Sequence, residues 1–205
     1  MLLLTAVAAL AATAPARAEQ GELSVGVQGG VLFPGFSPRS QTAFTLATWE
    51  AGIEAGFGLL DDLSLTAGML FSTYSGNLDG YTYESEGIDY TGTLEVDARV
   101  YHPRLGLRYK LYAGYNLAPY VDLAVGYAWS TYHGARLTKD GADIGVEIDD
   151  FGQGGFTVTG GLAVDYRLLN TVFVGVGMYF TYPLGGQLLK NYVHLSFYAL
   201  YYFFP

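Results

Sequence analysis

His194-Leu195-Ser196 sets an imidazole and a hydroxyl two residues apart, which on a strand places both on one face. A serine beside a histidine is the beginning of nucleophilic catalysis. The imidazole takes the hydroxyl proton, and a third group, usually a carboxylate, orients the imidazole. Without an orienting carboxylate the pair is weak evidence for a hydrolase. Metal chemistry has less support. His102, His133 and His194 lie on separate segments without ligand spacing, and the chain has no cysteine. The acidic stretches Asp79 to Asp89 and Asp140 to Asp150 do not match the EF-hand pattern and read as solvated loops. No metal or cofactor is expected. What remains is a scatter of charges, Glu50, Glu54, Arg104, Arg108, Asp122, Asp165, Arg167 and His194, and their meaning depends on the elements that carry them.

Those elements alternate apolar with polar or small residues, the period of a strand. Leu23, Val25 and Val27 oppose Ser24, Gly26 and Gln28; Trp49, Ala51, Ile53 and Ala55 oppose Glu50, Gly52 and Glu54. Similar runs begin at Leu63, Leu94, Val121, Phe156, Val172 and Val193, which makes about eight strands. In the fourth run the apolar set changes phase, from Leu94, Val96, Ala98 and Val100 to Leu105, Leu107, Tyr109 and Leu111. A β-bulge near Pro103 is the expected cause, since an extra residue swaps the faces. Connectors alternate as well. Short turns at Leu60 to Asp62, Ala113 to Ala118 and Leu169-Asn170 separate longer polar segments at Pro34 to Thr42, Ser75 to Gly92 and His133 to Gly154. Gly185 to Lys190 precedes the last strand.

Composition decides which face meets what. The 205 residues are 51% hydrophobic and only 14% charged, with 28 glycines and 18 tyrosines, yet no stretch approaches the roughly 20 apolar residues of a membrane helix. A soluble closed barrel points its apolar face inward and carries charge outside. Here the non-apolar faces are Gly, Ser, Thr and Tyr with few charges, too little polar surface to solvate an exterior, so the apolar faces are assigned outward. Short turns at one end and long connectors at the other repeat the layout of outer-membrane barrels, with the short turns periplasmic. The expected fold is therefore an all-β, antiparallel up-and-down transmembrane β-barrel of about eight strands in the cell outer membrane. Residues 1–18 read as a signal peptide, from the apolar run Leu2 to Ala12 and the Ala16-Arg17-Ala18 cleavage site, with the barrel domain over 19–205. A net charge of −9 removes the electrostatic footprint of a nucleic-acid binder.

The leader, the eight alternating segments and the aromatic-rich last strand together resemble the small outer-membrane β-barrel family of OmpA-like, OmpX-like and OmpW-like proteins. The resemblance covers the mature chain and is one of architecture. It implies a C-terminal aromatic signal read by the barrel-assembly machinery, for which Tyr201 and Phe203 have the right parity, although Phe204 and Pro205 follow. It also implies outer-membrane lipid and lipopolysaccharide as surroundings. His194-Leu195-Ser196 resembles the His-x-Ser element of lipid A deacylase barrels, but Phe197 stands where that family has Asn and the downstream Glu is missing.

By parity the eight charges named above point inward, into a lumen just wide enough for side chains to fill. Arg108 and Asp122 flank one short turn and should meet at similar depth. Mutual pairing is expected, because unpaired charge is costly there. The leading expectation is a structural or surface-interaction scaffold with a plugged polar lumen and long extracellular loops. The second is a narrow OmpW-like pore for small or hydrophobic solutes, with the bulge near Pro103 opening a lateral gap. A lipid-modifying enzyme stands last.

Overall fold

The computed structural model describes residues 20–34, 42–43, 48–111, 116–184 and 191–203. Residues 1–19, on which the expected signal peptide falls, the segments 35–41, 44–47, 112–115 and 185–190, and the last two residues lie outside this set. The strands are β1 (Leu23–Pro34), β2 (Thr42–Ala43), β3 (Thr48–Leu60), β4 (Leu63–Ser85), β5 (Ile88–Lys110), β6 (Leu117–Lys139), β7 (Ala142–Glu147), β8 (Phe151–Arg167), β9 (Val172–Pro183) and β10 (Tyr192–Phe203). Eight of them form one antiparallel ring: β1 pairs with both β10 and β3, and the β4–β5 pairing closes the sheet. The short strands β2 and β7 add to β4 and β6 outside the ring. Among the described residues there is no helix.

Alternation gives the wall two chemically distinct surfaces. Val27, Ile53, Leu105, Leu123, Val125, Phe156 and Phe197 all stand more than half exposed on the outside. A water-soluble protein rarely shows a contiguous apolar surface of this extent, whereas lipid accepts it. On β5 the apolar outer face runs from Tyr101 to Tyr109, which matches the 9–11 residues that a tilted strand needs to cross a bilayer core. Trp49, Phe71, Tyr101 and Trp129 form a ring-to-ring row at one edge of this band, with centroids 5.6, 5.3 and 6.5 Å apart. Aromatic rows of this kind mark the membrane–water interface.

The register corrects the expected bulge. From Leu63↔Tyr109 to Leu78↔Leu94 the β4–β5 pairing passes Pro103 without a shift. The β5–β6 ladder omits His102 and Pro103 but resumes in the same register, Tyr101↔Trp129 and Arg104↔Gly126. Even-numbered residues of β5 point inward throughout, so Leu94, Val96, Ala98 and Val100 are buried while Leu105, Leu107 and Tyr109 face out. The sequence changes phase because the strand leaves the membrane. Below Tyr101 its outside meets lipid and its inside is polar. Above that residue its outside meets water, and its inside joins an apolar core.

That second core corrects the reading of the long connectors too. The strands β4, β5 and β6 are 23 residues each, about twice the crossing length, and they continue as sheet beyond the aromatic row. Leu94, Val96, Ala98, Tyr132, Ala135, Leu137 and Ile148 pack inside the extension, and Tyr132 stacks on Phe151 at 4.9 Å. Ser75 to Gly92 is therefore a hairpin, and His133 to Gly154 contains another. Each turns on two residues with positive φ, Glu86-Gly87 (55° and 77°) and Asp140-Gly141 (53° and 80°). Two successive positive φ values define the type I′ turn that matches strand twist, and the glycine takes the second position without steric cost.

Candidate functional site

Chemistry-bearing side chains converge in the polar interior, and alternation delivers them there from most strands of the ring. Arg108 is its centre. Its Nη2 lies 2.8 Å from Glu54 Oε1, and it donates to both oxygens of Asp122 at 3.2 Å. The Arg108 and Asp122 positions are directly opposed on β5 and β6, as their flanking of one turn predicts. Arg104 closes the chain by donating to Glu54 Oε2 and to Gln28 Oε1, each at 3.2 Å. The Arg108 guanidinium also lies 4.4 Å from the centre of the Tyr120 ring. Tyr120 donates its hydroxyl proton to Tyr198, which donates to Asp165 Oδ1 at 2.6 Å. Toward the short-turn mouth, the buried Lys110 ammonium lies 5.9 Å from the Tyr202 ring centre.

A second cluster sits toward the aromatic row. Glu50 Oε1 accepts from His194 Nδ1 at 2.7 Å and from Ser196 Oγ at 2.6 Å. In register these residues are separated only by Gly30 of β1, which faces Glu50 on one side and Ser196 on the other. A Cβ at Gly30 would run into the Leu195 carbonyl and reach 2.9 Å from Ser196 Cα, so the close approach needs glycine there. His102 bridges Thr157 (2.8 Å) and Tyr192 (3.0 Å), and Thr159 bonds to Thr181 at 2.8 Å.

The Glu50 contact supplies the carboxylate that the His-x-Ser reading lacked, but in the wrong place for catalysis. A nucleophilic serine must address one imidazole nitrogen while the carboxylate holds the other. Here Glu50 and Ser196 both lie on the Nδ1 side, with Ser196 Oγ 3.4 Å from Nδ1. His194 Nε2 is buried without a hydrogen-bond partner among the described residues, and the ring lies 4.9 Å from that of Tyr179. The cluster faces the lumen, away from any lipid substrate.

Of the eight charged residues expected inward, Glu54, Arg104, Arg108 and Asp122 form one continuous ion-pair chain, Glu50 and His194 form the second cluster, and Asp165 joins through tyrosine. Arg167 lies at the short-turn mouth, where it donates to the backbone and side-chain oxygens of Asn170 in the adjoining turn. Gln28, His102, Lys110, Tyr120, Tyr192 and Tyr198 also line the interior and were not named among its expected charged residues. Strand parity was the available signal, because Lys110 shares a face with Arg108, and Tyr192 and Tyr198 share one with His194. Tyr201 and Phe203 point outward as expected, with their rings 4.9 Å apart. Among the described residues no three His, Asp or Glu groups converge to hold a metal ion.

A closed eight-stranded wall that is apolar outside and ion-paired within defines a transmembrane β-barrel of the outer-membrane class. The chain belongs to the outer membrane protein beta-barrel domain family, whose profile matches residues 2–196. It is an outer-membrane protein. Similar solved structures include a major outer membrane protein from Thermus thermophilus, at a TM-score of 0.57 and 13% identity over 88% of this chain and 99% of that one. Neisserial surface protein A gives 0.55 and 12% over 88% and 95%. The outer membrane protein OprG from Pseudomonas aeruginosa gives 0.53 and 13% over 91% and 98%. At these identities the likeness is one of fold. No curated protein sequence matches the chain.

Proposed function

We propose that this protein is a plugged barrel that serves as a rigid scaffold, and that its working surface is the β-extension above the membrane. The packing of the lumen carries this reading. Tyr120, Thr157, Thr181, His194 and Asp165, spread along the interior, are each 1% exposed or less. Side chains that line a water-filled path keep contact with water, and these do not. The lateral gap expected of a narrow pore loses its rationale along with the bulge at Pro103, and the nitrogen geometry of His194 gives a hydrolase no competent base. The extension supplies what a scaffold displays, an ordered two-hairpin platform with its own apolar core. In cells its expected surroundings are outer-membrane lipid and lipopolysaccharide, with Tyr201 and Phe203 read by the barrel-assembly machinery during insertion.

The absence of cysteine allows a direct test. Ser196→Cys places a thiol in the lumen, and Ile88→Cys places one at the exposed hairpin tip. A small water-soluble thiol reagent should label the tip quickly and the lumen slowly in folded protein. Equal rates would mean that water reaches the interior, and the plugged reading would be lost.

A further inference from the structure

Immediately above the aromatic row, the outer wall carries a shelf of hydrogen-bond donors. Arg99 stands directly opposite Thr73 on one side and Thr131 on the other, and Thr131 is opposite Gly152. The row beneath, two residues along each strand, holds Phe71, Tyr101 and Trp129. Directly opposed residues on one face have Cβ atoms about 4.5–5.5 Å apart, so the Arg99 side chain emerges between two hydroxyls. Trp129 contributes another donor. Its Nε1 comes within 3.3 Å of the point where a Cβ on Gly152 would stand, so the indole N–H is turned up toward the shelf and the missing side chain leaves room above it.

Thr131 is already engaged with His133 Nε2 at 3.2 Å, which leaves Arg99, Thr73 and Trp129 as the open donors. Arg99 is exposed and has no ion pair among the described residues. Arg104 and Arg108 are committed to lumen carboxylates, and Arg136, higher on the extension, faces Glu95. Asp97, the next carboxylate along the outer face of β5, accepts from Ser75 Oγ at 2.5 Å. Two residues of strand span about 7 Å, so a cation one row above interfacial rings stands at headgroup depth. The end with the long extension faces the cell exterior.

We propose that the Arg99 shelf binds a phosphate of the outer-leaflet glycolipid, lipopolysaccharide. The guanidinium, the Thr73 hydroxyl and the Trp129 N–H are the donors, and the aromatic row packs against the acyl chains below. Guanidinium groups suit phosphate because planar paired N–H groups match its oxygens. The proposal rests on the placement in the membrane and is independent of whether the lumen is plugged.

The test uses the full refolded barrel, a diphosphorylated lipid A probe and the same glycolipid stripped of phosphate, with bound fractions read by native mass spectrometry. The wild type should prefer the phosphorylated probe. Arg99→Gln should weaken that binding by about five-fold, the effect of one basic group near an anionic surface, and leave the stripped probe unchanged. Arg99→Lys should retain most of the affinity, Trp129→Phe should lose part of it, and Arg136→Gln should change nothing. Heat-modifiable migration on gels confirms that each variant is folded. Equal binding of the two probes, wild-type binding by Arg99→Gln, or an equal loss in Arg136→Gln would each overturn the assignment.

Discussion

Replacing Arg108 with methionine keeps most of the aliphatic stem and removes the charge at the centre of the lumen. Both bonds to Asp122 come from this one guanidinium, so the substitution leaves a buried carboxylate bare, whereas Glu54 retains Arg104. Breaking a buried ion pair from one side costs about 3–5 kcal/mol, mostly as the penalty on the stranded partner. Loss of the cation–ring contact with Tyr120 is contained in that figure. Asp122→Asn should cost less, about 1–2 kcal/mol, because Arg108 keeps Glu54 at 2.8 Å. The double variant strands no charge on Asp122, so its cost should fall short of the sum by roughly 1–3 kcal/mol. Urea unfolding in lipid vesicles, followed by tryptophan fluorescence and heat-modifiable migration, gives all three values. Strict additivity, or an Arg108→Met cost below about 1 kcal/mol, would refute the claim that the network is tightly coupled and dry.

Other consequences are open to simpler measurements. Gly161→Ala would push a methyl group into the Tyr179 ring and should destabilise the barrel by about 1–3 kcal/mol in the same urea assay. At the β4–β5 tip, Glu86→Asn should protect the hairpin from proteolysis, because asparagine tolerates positive φ better than glutamate, and Gly87→Ala should expose it. On the extension, the His133 hydrogen bond at 2.6 Å holds the Asp150 carboxyl below its ordinary value. A depressed carboxyl pKa means that the interaction is present above the usual Asp range and is lost as pH falls through the folded value. An NMR titration should show this, with the Asp150 midpoint moving back up in His133→Ala.

The sequence pattern revealed which residues share a face but not what medium lies on each side. For Glu50, Glu54, Arg104 and Asp122, within the membrane, parity and composition together were sufficient. For Leu94, Val96, Ala98 and Val100 the same parity led to a bulge near Pro103 that the register does not contain, because beyond Tyr101 lipid gives way to water and the interior becomes apolar. Nothing in an alternating pattern marks that crossing except the phase change itself. The hairpins at Glu86-Gly87 and Asp140-Gly141 were hidden for a related reason. Polar outward residues on an extended sheet have the composition of a loop, and only the two-residue turn betrays them. Arg108 with Asp122 was legible because one short turn joins their strands. Glu54 reaches Arg108 across the lumen, and Glu50 reaches His194 past Gly30, contacts that exist only once the sheet has closed.

The central claim, that the lumen is sealed by its own side chains, is tested most directly by ion conductance of the refolded barrel in planar lipid bilayers. Electrical silence from demonstrably folded, inserted protein is the predicted result, unchanged in bathing salt of high or low concentration. Steady, reproducible openings that alter when Glu54 or Arg108 is neutralised would contradict it and would put the ion-pair chain on a conduction path.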